Sequence, residues 1–108
     1  MISKWEAFQA YKIAELTQGL IALQQFDHVD QTFVLDEGNV INFAISMLNE
    51  LDRQLGEGQL LFDENEVLDV MLLTQKLLSA KLDPKSPEFK TALNTGVKEI
   101  LAKNDKRL

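Results

Sequence analysis

The stretch Phe62-Asp63-Glu64-Asn65-Glu66-Val67 decides the fold class. Asp63 can accept a hydrogen bond from a free amide at a helix start. Glu66, three residues on, can reach back to the Asp63 amide, which completes a capping box. Phe62 just before the cap and Val67 at the fourth helical position add a hydrophobic staple. Beyond them, Val67, Leu68, Val70, Met71, Leu72, Leu73, Leu77, Leu78 and Leu82 cover well over half of a helical circumference. The spacing predicts a helix over 64–82 with neighbours on several sides.

The same start chemistry recurs three times. Ser3 can cap with Glu6 reaching back, a second capping box. Leu35-Asp36-Glu37-Gly38-Asn39-Val40 is a looser copy, with Leu35 and Val40 as its staple and acids at the positive end of the helix dipole. Ser86-Pro87-Glu88 places a capping serine before a proline whose missing N–H is harmless at a first helical position. Four starts predict helices over about 4–25, 37–55, 64–82 and 87–104.

Each of these segments has an apolar stripe. The first places Trp5, Phe8, Ile13, Leu16, Leu20, Leu23 and Phe26 within one broad arc, and the second Val40, Phe43, Ala44, Met47, Leu48, Leu51 and Leu55. Gly56-Glu57-Gly58 ends the second helix. The fourth carries Phe89, Leu93, Val97 and Ile100, with Gly96 where another backbone can approach closely. Short linkers at 56–63 and 83–86 favour antiparallel neighbours, while 26–36 reads as a longer connection. The expected fold is all-α, an antiparallel four-helix bundle in a single domain over 1–108.

Composition narrows function by exclusion. The chain has 108 residues, 45% hydrophobic and 26% charged, with no cysteine and one histidine. Disulfide scaffolds and zinc–thiolate sites both need cysteine. No apolar run approaches the ~20 residues of a membrane span, and the polar N-terminus does not read as a signal peptide. The expected location is the cytoplasm, with no membrane partner.

The sequence offers little for catalysis, and no enzyme or cofactor is expected. A nucleophilic triad would have to use His28, and the serines nearest helix starts, Ser3 and Ser86, act as caps. Asp27, His28 and Asp30 form a short carboxylate–imidazole cluster that can ligate a metal, but no second histidine or cysteine closes the shell. A polar loop accounts for them equally well. Asp63-Glu64-Asn65-Glu66 lacks the glycine and the distal glutamate of a calcium loop. There is no glycine-rich phosphate loop, and Arg53 and Arg107 are the only arginines.

Charge is strongly patterned. From Asp27 to Asp69 eleven acidic residues face Arg53 alone, a net −10, while the rest of the chain carries +4. Such a field repels nucleic acid and speeds encounter with a basic surface. Acids gathered at helix starts explain part of the pattern. Asp30, Glu50, Asp52, Glu57 and Asp69 are the candidate contacts to a basic protein partner. Ile21 and Ile45 fall off the main stripes, and Leu72, Leu73 and Leu77 widen the third. These five are the candidate interface of a homodimer, twofold symmetry being the commonest.

From Leu35 onward the order of features resembles the YhaI-like family of small helical Bacillus-type proteins. The resemblance rests on Asp36-Glu37-Gly38, a Leu/Glu helix ending near Leu55, the Ala80-Lys81-Leu82-Asp83 close, and Phe89, Ala92-Leu93, Gly96-Val97 and Glu99-Ile100-Leu101. It implies an all-helical, dimeric bundle and offers no known activity to carry over. Bacteriocin immunity proteins share the length and the helical plan but are usually basic, and fold analogy alone does not carry function. The expected function is protein–protein interaction without catalysis. The alternative is an immunity or inhibitor protein that neutralises a toxin or host enzyme.

Overall fold

The structure, a computed structural model, describes residues 3–27 and 37–103, with side chains over 3–22 and 44–103. It holds four helices: α1 (Lys4–Asp27), α2 (Glu37–Leu55), α3 (Glu64–Ser79) and α4 (Pro87–Lys103). No strand occurs among the described residues. α3 is central and packs on each of the other three helices, while α1 also touches α2 and α4. Among the described residues α2 and α4 do not meet, so they flank the α1–α3 pair.

The start signals act as their chemistry requires. The Ser3 amide donates to Glu6 Oε1 at 2.9 Å, and the Glu6 amide to Ser3 Oγ at 3.0 Å. At α3 the Asp63 amide donates to Glu66 Oε1 and the Glu66 amide to Asp63 Oδ1, both at 2.9 Å. Phe62 and Val67 are both buried, as a staple demands. Ser86 Oγ accepts from the Phe89 amide at 3.2 Å and itself donates to the Asp83 carbonyl. The Leu35–Asp36 start lies outside the described residues.

Helix ends depart from expectation in one instructive place. α3 stops at Ser79, three residues before the end that its apolar pattern predicts. Lys81 adopts φ 67°, its amide donates to the Leu78 carbonyl, and the Leu82 amide donates to the Leu77 carbonyl. That is a Schellman close, with lysine at the left-handed position where glycine is usual. Leu82 belongs to this cap and packs partly buried against the core. α2 ends at Leu55, with Gly56 just past it at φ 100°, as its glycine pattern predicts.

The core also corrects the reading of α1. Its buried face is Glu6, Gln9, Ala10, Ile13, Ala14, Thr17 and Ile21, which keeps Ile13 of the expected stripe but not Trp5, Phe8, Leu16 or Leu20; the side chains of Leu23 and Phe26 lie outside the described residues. Trp5 and Phe8 are 42% and 50% exposed, and Leu16 and Leu20 are half-buried. The physical reason is proximity: α1 lies against both α3 and α4, and small residues at 10, 14 and 17 let the backbones approach. Thr17 and Thr74 reach the interior by returning their hydroxyls to the Ile13 and Val70 carbonyls, each at 2.8 Å.

Long-range polar contacts pin the layers. Gln9, fully buried, donates from Nε2 to the Gln59 carbonyl at 2.9 Å and accepts at Oε1 from the Leu61 amide at 2.8 Å. Tyr11 donates its hydroxyl to the Pro84 carbonyl at 3.2 Å, and Lys90 Nζ sits 5.3 Å from the Tyr11 ring centre. Gly96 on α4 admits the side chain of Leu73; a Cβ there would lie only 3.0 Å from Leu73 Cδ1. The close approach expected at Gly96 is therefore made by a side chain.

Candidate interaction site

Two helices that touch along part of their length leave a groove where their side chains diverge. Between α1 and α2 that groove has a volume of about 400 Å³ and lies open to solvent. Its floor is Leu16, Gly19 and Leu20 from α1 and Met47 from α2, and its rim is Glu15, Ser46 and Glu50. Met47 is buried and Leu16 and Leu20 half-buried, so the floor is apolar and anchored in the core.

Gly19 makes the groove deeper than the bundle needs. A Cβ built there meets nothing within 4 Å, in contrast to Gly96. A glycine inside a helix lowers stability by roughly 1 kcal/mol relative to alanine. No packing within the described chain offsets that loss at residue 19.

The rim is charged. Arg53 grips Glu50 as a fork, Nε to Oε2 at 2.9 Å and Nη2 to Oε1 at 2.6 Å. These hydrogen bonds hold the Glu50 carboxyl below its usual range and push the guanidinium of Arg53 up. Glu50 therefore stays anionic across the physiological range while remaining partly exposed. Glu15 is exposed.

On α1 a row of side chains runs from the groove toward the N-terminus. Residues three and four apart are neighbours on a helix surface, which links Trp5, Phe8, Lys12, Glu15 and Gly19 into one row. At its far end Trp5 and Phe8 stack at 5.4 Å between ring centres with planes 6° apart. The backbone of Leu61 is held to α1 by Gln9, and its side chain is 38% exposed.

The residues expected at interfaces are distributed differently. Glu50 is on the groove rim, Asp52 is exposed on another side of α2, Glu57 is exposed in the turn after it, and Asp69 is half-buried on α3. They are spread over α2, a turn and α3. Asp30 and the Asp27-His28-Asp30 cluster lie outside the described residues. Among the described residues no three acidic or histidine side chains group as metal ligands, and no helix is long and apolar enough to cross a membrane.

Of the apolar candidates, Ile45 and Leu72 are 46% and 44% exposed. Ile21 is corrected: at 1% exposure it belongs to the core, because α1 buries a face broad enough to include it. Leu73 and Leu77 are half-buried against the core, Leu73 over Gly96 of the same chain. The sequence reading missed the row from Trp5 to Gly19, having assigned its aromatics to the interior. The signal that could have found it was Ala10, Ala14 and Thr17, small residues that mark the closer-packed face. Comparison of the chain with protein-family models, with curated proteins and with solved structures finds no match.

Proposed function

We propose that this chain works by binding other proteins and not by catalysis. In this reading its helices form an antiparallel bundle. A second copy packs on the α2–α3 side through Ile45 and Leu72, and the acidic surface faces a basic partner in the cytoplasm. The alternating order is supported by two meetings: Gln9 near the start of α1 with the 59–61 linker that leads into α3, so that α1 and α3 run the same way, and Leu73 of α3 with Gly96 of α4, each set back from the short linker between them. The observation that carries the reading is the set of large apolar side chains left in water, Trp5, Phe8, Ile45, Leu61 and Leu72. Apolar side chains that gather on a surface mark interfaces, and Trp5 and Phe8 stack on each other there.

The test is molar mass by light scattering after size exclusion over about a tenfold dilution series. A dimer mass that falls to the monomer value in Ile45→Glu and Leu72→Glu supports the reading. A wild-type monomer at every concentration removes self-association. A dimer untouched by both substitutions places the contact elsewhere.

A further inference from the structure

α2 is held to the bundle differently from the other three helices. Its long contact is with α3; it touches α1 only briefly, and among the described residues it does not meet α4. α1, α3 and α4, by contrast, all pack on one another. Ile13 of α1, Val67 and Val70 of α3, and Leu93 and Val97 of α4 are all buried, so this trio has an interior of its own.

Polar cross-links follow the same division. Gln9 fastens α1 to Gln59 and Leu61, just before α3, and Tyr11 fastens it to Pro84, just after α3. α1 and α3 are thereby tied at both ends. Between α1 and α2 lies the open groove of about 400 Å³ instead.

The chain changes character where α2 joins this trio. Gly56 at φ 100° and Gly58 at φ 81° take left-handed conformations that glycine adopts without strain. Immediately beyond them come Gln59 and Leu61, the residues gripped by buried Gln9. A permissive joint is followed at once by an anchor, so a displacement of α2 is taken up before it reaches α3.

α2 also has little helical preference of its own. Gly38, Asn39, Val40, Asn42 and Phe43 all rank low as helix formers. Its helix depends on burying an apolar face, of which Ala44, Met47 and Leu51 are the fully covered members. Leaving α3 and losing the helix therefore go together.

We propose that α2 is a cooperative unit that opens from a persisting α1–α3–α4 core, with the Gly56–Gly58 turn as its boundary. Opening uncovers the part of α3 that α2 covers. Elements that move in binding and switching are drawn from the least stable units of a fold. The inference goes beyond the proposed binding role and stands apart from it, since it concerns a single chain.

The experiment is native-state hydrogen exchange of the full chain, read by mass spectrometry at low micromolar concentration in water and in sub-denaturing urea. Amides of residues 44–55 should exchange at least about tenfold faster than the slowest in α3 and α4. They should do so through one shared step, which urea accelerates with a shallower slope because less surface is exposed. Val97→Ala trims the core on α4, away from α2. It should speed the slowest amides of α3 and α4 by about tenfold and leave those of α2 within about twofold of wild type. Leu51→Ala, on α2 itself, should speed the α2 amides by at least about tenfold. The urea series on the wild-type chain decides the matter where a variant fails to fold. One rate and one urea slope across all four helices overturns the proposal, as does a Val97→Ala chain whose α2 amides speed up with the rest. Exchange that is faster in α2 but indifferent to urea is fraying amide by amide, and overturns it as well.

Discussion

Gln9 and Leu61 are joined by a 2.8 Å hydrogen bond from the Leu61 amide to the Gln9 carboxamide oxygen, fifty-two residues apart in the chain. The other end of the same side chain donates to the Gln59 carbonyl, so one fully buried residue serves a linker that has no regular ladder of its own. Buried amides and carbonyls left without partners cost roughly 1–3 kcal/mol each. Gln9→Leu keeps the approximate volume and removes both bonds, and should destabilise by about 2 kcal/mol. Urea unfolding should show a lower midpoint with an unchanged slope.

Gln9→Glu is the more discriminating variant. An ionised carboxylate still accepts from Leu61 but sets a second acceptor against the Gln59 carbonyl. Protonation supplies the missing donor, so the introduced carboxyl should titrate above its usual range. A raised carboxyl pKa means that the folded state binds the proton more tightly than the unfolded state. Stability relative to wild type should then rise as pH falls through the raised value. Thermal unfolding of both proteins from neutral to mildly acid pH measures it, and a constant gap would refute the assignment.

Lys81 is the residue least suited to its conformation. A left-handed backbone at a non-glycine residue costs about 1–2 kcal/mol, and its side chain is exposed, so little packing offsets it. Lys81→Gly should stabilise the protein by about 0.5–1 kcal/mol, after allowing for glycine's greater freedom in the unfolded chain. Differential scanning calorimetry should show a higher Tm, by roughly 2–4 °C.

How far the sequence could be read differs sharply between helices. The start and the central place of α3 were legible because capping box, staple and a broad apolar arc all agree on one helix at the centre. Its C-terminus was not, since Lys81 carries no signal of a left-handed cap and Leu82 continues the apolar spacing. α1 misled for a specific reason: it is apolar on more than one side, and the larger side chains, Trp5 and Phe8, are the ones outside. Burial there was decided by how closely α3 and α4 approach, which rewards alanine and threonine over tryptophan. The groove was hidden for the same cause. The acidic surplus from 27 to 69 was legible, but not that, of the four described candidates, Glu50 lines the groove.

Glu50 and Arg53 form an exposed pair, and its signature is titration rather than stability. The hydrogen bonds from Arg53 lower the Glu50 pKa from the ordinary 4.5. A lowered carboxyl pKa favours the folded state above the unfolded value, and that contribution disappears as pH falls through the folded one. At neutral pH it is fully present, and salt screens it. Carbonyl-detected NMR titration should place the Glu50 midpoint below 4.5 in wild type and return it toward 4.5 in Arg53→Ala. A midpoint unmoved by Arg53→Ala would mean that the fork does not persist in solution.

The two helical glycines with described surroundings, Gly19 and Gly96, should answer the same substitution in opposite ways. Alanine at residue 19 enters open space in an ordinary helical backbone, so Gly19→Ala should stabilise by up to about 1 kcal/mol from helix propensity alone. Alanine at residue 96 meets the end of the Leu73 side chain, which must rotate out of a packed site. Overpacking of that kind costs about 1–3 kcal/mol, which cancels or outweighs the same propensity gain. Shortening the obstructing side chain isolates the contact: Leu73→Ala should be destabilising by itself, and adding Gly96→Ala to it should then be stabilising. The coupling in that double-mutant cycle should be at least about 0.5 kcal/mol, as expected for residues in direct contact. Additive effects would mean that α4 does not lie on Leu73, and a destabilising Gly19→Ala would mean that the groove beside α1 is already filled by the protein itself.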